Sequence, residues 1–174
     1  MSSRPPKGYI EIPHDTGVTV FRDPIEIIET VALGDVWETM LRVENQVAQG
    51  FTAVGYVAYE AAAAFDAAYV THPPNDMPLV WFGIYASGQE FPPLPPAPPL
   101  PAPCWRPSVD RAHYDEAIAS IRRHIAAGDT YQVNYTFPMT ADFSLEGLDW
   151  FHERQHAQRG AHRAYLNLGR HEII

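Results

Sequence analysis

Eight prolines crowd into residues 92–103 (PPLPPAPPLPAP) of this 174-residue chain, and no other feature restricts its fold as much. Proline fixes φ near −65° and removes an amide donor, so this stretch can be neither a helix nor a central strand. The spacing predicts a polyproline II strap that separates an N-terminal block, residues 8–89, from a C-terminal block, residues 105–174. As domains, this gives an N-terminal α+β lobe over 1–89, a linker over 90–107, and the start of a second domain over 108–174. The P-x-x-P spacing also suits a groove that binds proline-rich ligands, so a proline-rich adaptor module is one reading. The basic residue that such grooves favour beside P-x-x-P is missing.

Before the strap, GVTVF (17–21) and PIEIIETV (24–31) read as short strands separated by Asp23-Pro24. A helix is predicted from an N-cap at Asp35 to a left-handed terminator at Gly50. Val36, Trp37, Met40, Leu41, Val43 and Val47 form its broad apolar face. FTAVGYVAYE (51–60) predicts a strand covered on both faces and then an alanine-rich helical turn through Phe65; LVWFGIYA (79–86) predicts another buried strand.

After the strap, Asp110 caps a predicted helix carrying Tyr114, Ile118, Ile121 and Ile125 on one face and ending at Gly128. Residues 130–143 (TYQVNYTFPMTADF) alternate strictly, with Tyr131, Val133, Tyr135, Phe137 and Met139 opposite Gln132, Asn134, Thr136 and Thr140. That period of two predicts a long half-buried strand. A helix from Ser144 to about Arg159 closes at Gly160, and AYLNLG (164–169) returns as a strand that turns at Gly169. The apolar run after Arg170 begins a strand without completing it, so the sequence reads as cut short at Ile174.

Composition excludes several function classes. Twelve basic against 21 acidic residues give a net charge of −9, with Lys7 the only lysine, which is no footprint for nucleic acid. No apolar run reaches the ~18–20 residues needed to span a membrane. The N-terminus lacks the apolar core of a secretory signal and Cys104 has no second cysteine, so a cytoplasmic location is expected.

The short motif with most chemistry is His152-Glu153-Arg154-Gln155-His156, followed by His162. On a helix, His152 and His156 share a face one turn apart and could hold zinc while Glu153 polarises a bound water, with His162 as third ligand. Against this zinc metallohydrolase reading, the sharp turn of the extended pattern needs glycine where Arg159 stands, and a solvated polar helix face explains the same residues. Glu26 and Glu29 read as exposed strand residues, while Asp115 and Glu116 lie in the first turns of a helix, where negative charge is favourable. The polar row Gln132, Asn134 and Thr136 could hydrogen-bond a carboxylate or hydroxyl ligand, or face water or a partner sheet.

The phrase I-x-x-G-D-x-Y-Q-V-N-x-T, running from Ile125 to Thr136 after an amphipathic helix, resembles the chorismate-utilising enzymes. Two further stretches agree in order and spacing: Gly55 to Ala62 (GYVAYEAA) and Gln158 to Gly169 (QRGAHRAYLNLG). Tyr131 and Asn134 favour the aminodeoxychorismate synthase branch, since anthranilate synthases, the alternative, usually carry F-Q-V-V there. The resemblance implies the N-terminal part of a two-sheet, mostly antiparallel α+β sandwich with flanking helices. It also implies chorismate as substrate, Mg²⁺ as cofactor of the whole enzyme, and a glutamine amidotransferase partner supplying ammonia to give 4-amino-4-deoxychorismate, a folate precursor. The family's magnesium-binding glutamates, general acid and P-I-K-G-T lysine follow the segment matched here, so no catalytic residue is expected within these 174 and no activity from them alone. Ile27-Ile28-Glu29-Thr30 is only a loose echo of the family's tryptophan-binding L-L-E-S phrase, and that site is not carried over. His162 stands where many relatives have tyrosine.

Overall fold

The computed structural model describes residues 4–73, 75–157 and 162–174, with residues 156 and 157 described by backbone alone. The chain divides into two compact units, Met1–Pro99 with Glu146–Ile174, and Leu100–Leu145.

The first unit is built on two antiparallel sheets. β1 (Ile10–His14), β2 (Gly17–Phe21), β6 (Gln89–Phe91), β9 (Tyr165–Asn167) and β10 (Glu172–Ile173) form a five-stranded sheet in the order β10-β9-β1-β2-β6. β3 (Glu26–Thr30), β4 (Thr52–Val57) and β5 (Val80–Tyr85) form a three-stranded sheet with β5 in the centre. Ile10, Phe21, Trp81, Tyr85, Leu166 and Leu168 come from both sheets and share one buried cluster, so the sheets pack face to face. Alternation along β5 sends Ile84 the other way, to meet Ile28 and Val43 of the helix α1 (Val36–Ala48). Val36, Ala61, Leu79 and Val80 make a third cluster beside it, joined by a 3₁₀ turn at Tyr59–Ala64. On the far face of the larger sheet, Phe151 of α3 (Gly147–Ala157) lies against the Tyr165 ring at 6.0 Å. The resulting order is α3, five-stranded sheet, three-stranded sheet, α1.

This unit is the mixed α+β, antiparallel architecture expected, with several corrections. β1 has no counterpart in the strands read from the sequence because Pro13 interrupts its apolar pattern. It is tolerated since β9 pairs β1 only at Ile10 and Glu11, leaving the β9 side of Pro13 without a ladder partner. β4 is an edge strand, half-buried along most of its length, whereas the strand covered on both faces is β5. α1 begins and ends as predicted, yet Asp35 makes no capping bond, because a 3₁₀ turn at Leu33–Asp35 precedes the helix. Its inward face is Val36, Met40 and Val43, while Trp37, Leu41 and Val47 are half or more exposed. α3 starts at Gly147 rather than Ser144, and its predicted end at Gly160 lies outside the described residues. The division expected along the chain, 1–89, 90–107 and 108–174, is one of sequence order: in space 146–174 joins the first unit, because β9 pairs with β1.

The second unit holds β7 (Arg106–Pro107), α2 (Arg111–Ala127) and β8 (Met139–Thr140). α2 forms as predicted: the Asp110 carboxylate accepts from the His113 amide at 2.8 Å, and Gly128 takes the left-handed backbone at φ 83°. The long strand over 130–143 does not form. Only Met139 and Thr140 pair, with Pro107 and Arg106, and 132–138 carries no regular structure. A ladder needs a neighbour along its whole length, and β7 offers two residues. Among the described residues no helix is long and apolar enough to cross a membrane.

Candidate functional site

Three places gather polar chemistry, and the first is the H-E-x-x-H helix. Successive residues of β1 point to opposite faces, so Ile10 enters the core while Glu11 emerges under α3. The Glu11 side chain is 3% exposed, with Oε1 2.8 Å from His152 Nε2 and Oε2 accepting from the Tyr9 hydroxyl at 3.0 Å. Burial, and then the Glu11 charge, hold the Tyr9 phenol well above its usual pKa. Glu153 turns instead to Arg154, whose Nε is 2.9 Å from Glu153 Oε2 while its guanidinium lies over the Trp150 ring at 4.1 Å. His162 is exposed and lines a shallow pocket of about 620 Å³ with His14, Asp15 and Arg163. The His156 side chain lies outside the described residues. Among the described residues no three His, Cys, Asp or Glu side chains are grouped to hold a metal. His152 has spent Nε2 on Glu11, and this arrangement docks a helix on a sheet.

The second place is the polar row after α2. His124 Nδ1 lies 2.8 Å from the Asp129 carboxylate, Thr130 Oγ1 donates to the Gln132 carbonyl at 3.0 Å, and Gln132 Nε2 donates to Asn134 Oδ1 at 3.2 Å. Gln132, Asn134 and Thr136 are exposed together, and Tyr131 is 92% exposed. Tyr135 and Phe137 point the other way and set their rings 5.9 and 6.1 Å from Tyr114 of α2. The alternation read from the sequence therefore survives only around Tyr135 and Phe137; Tyr131, Val133 and Met139 of the expected apolar face are exposed. Beside it lies an open groove of about 850 Å³, lined by Ser108, Asp110, His113, Glu116, Ser120 and Tyr135 among others. Asp110 is already committed: hydrogen bonds from the His113 amide and then its ring hold the carboxyl below the usual range.

The third was not legible in the sequence. Lys7, Glu29, Thr30, Asp35, Asp76, Arg170 and His171 line a pocket of about 480 Å³ in the first unit. Its basic side chains all face carboxylates: Lys7 Nζ donates to Glu29 at 2.9 Å, while Arg170 Nη2 and His171 Nε2 lie 3.5 and 3.4 Å from Asp76. Its parts are separated by up to 164 positions, from Lys7 to His171, and meet because β9 lies against β1. The sole local signal was the Ile27 to Thr30 phrase, whose Glu29 and Thr30 do face the pocket.

Residues 89–174 match the family model described as chorismate binding enzyme. The match lies in the second part of the chain and covers the strap, α2, the polar row, α3, β9 and β10, so this part is similar to chorismate-utilising enzymes. No curated protein and no solved structure matches the chain.

Proposed function

Taking the chorismate-utilising family as premise, we propose that this chain is part of component I of an aminodeoxychorismate synthase. That enzyme replaces the ring hydroxyl of chorismate with ammonia from a glutamine amidotransferase partner, giving 4-amino-4-deoxychorismate, with Mg²⁺ as cofactor. The observation that carries the reading is the phrase Gly128-Asp129-Thr130-Tyr131-Gln132-Val133-Asn134, which lies inside the matched span and has Tyr131 and Asn134 at the positions that separate this branch from anthranilate synthases.

Chorismate is a dicarboxylate, so its binding surface must offer hydrogen-bond donors free of competing negative charge. The neutral row Gln132, Asn134 and Thr136 meets that condition and is open to solvent. The groove lined by Asp110 and Glu116 does not, since two carboxylates against one imidazole would repel the substrate. No group of described carboxylates suits Mg²⁺, and no step of the amination is assigned to a metal on these residues. Their role is to frame the substrate and dock the partner.

The test is product identity. The gene product carrying this chain, purified and given chorismate, Mg²⁺ and ammonium, is expected to form a compound that aminodeoxychorismate lyase converts to p-aminobenzoate. Anthranilate fluorescence in place of p-aminobenzoate would move the chain to the other branch, and neither product would remove it from both.

A further inference from the structure

From Phe91 to Pro103 every residue is a proline or stands immediately before one. Proline fixes its own φ, and its ring excludes the helical region for the residue before it, so each position is confined to extended backbone without help from tertiary contacts. No cis peptide bond occurs among the described residues, and no helix or strand is formed between Phe91 and Arg106. These are the conditions for polyproline II, which turns once every three residues.

Sequence and burial share that period. The segment reads Pro-Pro-Leu, Pro-Pro-Ala, Pro-Pro-Leu, and it is Leu94, Ala97, Leu100 and Pro103 that are half-buried, while each proline from 92 to 101 is exposed. One edge of a three-sided rod is covered and the other two, made of proline rings, face solvent.

We propose that residues 92–99 are the ligand for a separate protein whose shallow, aromatic-lined groove packs proline–proline steps. Such grooves take two edges of a polyproline II rod, which is what remains uncovered here. The rod is already ordered, so binding costs little conformational entropy. No charged residue lies between Glu90 and Arg106, and Arg106 is directed to Asp142 at 3.3 Å. The groove therefore recognises rings and backbone carbonyls, not a flanking cation. This inference is independent of the chorismate reading.

The probe is profilin, whose aromatic groove binds oligoproline. Calorimetric titration compares the intact chain with a free peptide of residues 90–104. The intact chain is expected to bind within about tenfold of the peptide. Replacing exposed rings in the intact chain, Pro93→Ala with Pro96→Ala, is expected to weaken binding by ~tenfold or more, whereas Leu94→Ala on the covered edge leaves it unchanged. Failure of both chain and peptide to bind would overturn the proposal. So would a chain much weaker than its peptide, or a Leu94→Ala loss without a proline effect.

Discussion

Four tyrosine hydroxyls set the alkaline limit of this fold. Tyr85 donates to the Gly8 carbonyl at 2.7 Å, Tyr56 to the Pro78 carbonyl at 3.0 Å, Tyr9 to Glu11 and Tyr165 to Glu172, each at 3.0 Å. Burial is the leading cause that raises all four, with Tyr56 pushed up to about 12. A phenol whose folded pKa exceeds its unfolded value of about 10 contributes fully below that pH, and the contribution is lost as pH rises through the folded value. The urea midpoint is expected to fall between about pH 10 and 12, with part of the 295 nm phenolate signal appearing only on unfolding. If all nine tyrosines ionise in the folded chain like free phenols, the burial described here is wrong. At Gly55 the constraint is space: a Cβ would collide with the Trp81 carbonyl oxygen and the Phe82 Cα of the neighbouring strand. Gly55→Ala is expected to cost about 1–3 kcal/mol, lowering the thermal midpoint by about 2–4 °C for each of them. At this scale the sequence shows residue type but not partner: His152 is conspicuous in H-E-x-x-H, while Glu11 stands 141 positions away.

Among the elements, the ends of α1 and α2 were legible and the buried faces were not. Gly50 and Gly128 follow α1 and α2 with φ of 95° and 83°, because helix termination is a local backbone matter. Which of α1's apolar residues turn inward depends on where β3, β4 and β5 lie. Trp37 shows the consequence: though 56% exposed, it meets Phe65 edge-to-face at 4.9 Å and donates Nε1 to the Ala64 carbonyl at 3.0 Å, covering the 3₁₀ turn instead of the sheet. Val43→Ala is expected to destabilise by roughly 1.5–3 kcal/mol, and Leu41→Ala by no more than about 0.5, in urea denaturation. Equal effects would contradict the assigned face. In α2, the Asp110 carboxyl is held below its usual range, so its stabilising effect is present above an ordinary aspartate pKa and is lost as pH falls below it. Asp110→Ala is expected to lower the 222 nm helix signal at neutral pH and to abolish the further loss on acidification that the parent shows. The predicted strand over 130–143 failed for a complementary reason: period-two patterning specifies two faces, but a ladder requires a second strand, and β7 contributes two residues.

For the whole molecule, the cores of the first unit depend on residues from both ends of the chain. Leu166 and Leu168 sit in the same buried cluster as Ile10, Trp81 and Tyr85, and Asn167 donates its side-chain amide to the Pro5 carbonyl at 2.8 Å. A chain ended at Pro99 lacks β9, β10 and α3 and exposes that cluster. It is expected to lose the cooperative urea transition and the near-ultraviolet signal of buried Trp81, and an unchanged midpoint would show that 146–174 is dispensable to the sandwich. Taken alone, the sequence determined the strap, the strand-rich first block, α2 with its two ends, and the phrase at 128–136 that points to chorismate chemistry. The first three rest on interactions within a few residues, namely ring constraint, side-chain period, cap and terminator, whereas the phrase carries only a resemblance. Tertiary structure alone decided that 146–174 returns to pair with β1, that His152 goes to Glu11, and that Lys7, Glu29, Asp76 and Arg170 share a pocket. Those outcomes require strand pairing across more than a hundred positions, which is governed by which apolar faces can be buried together and not by any local pattern.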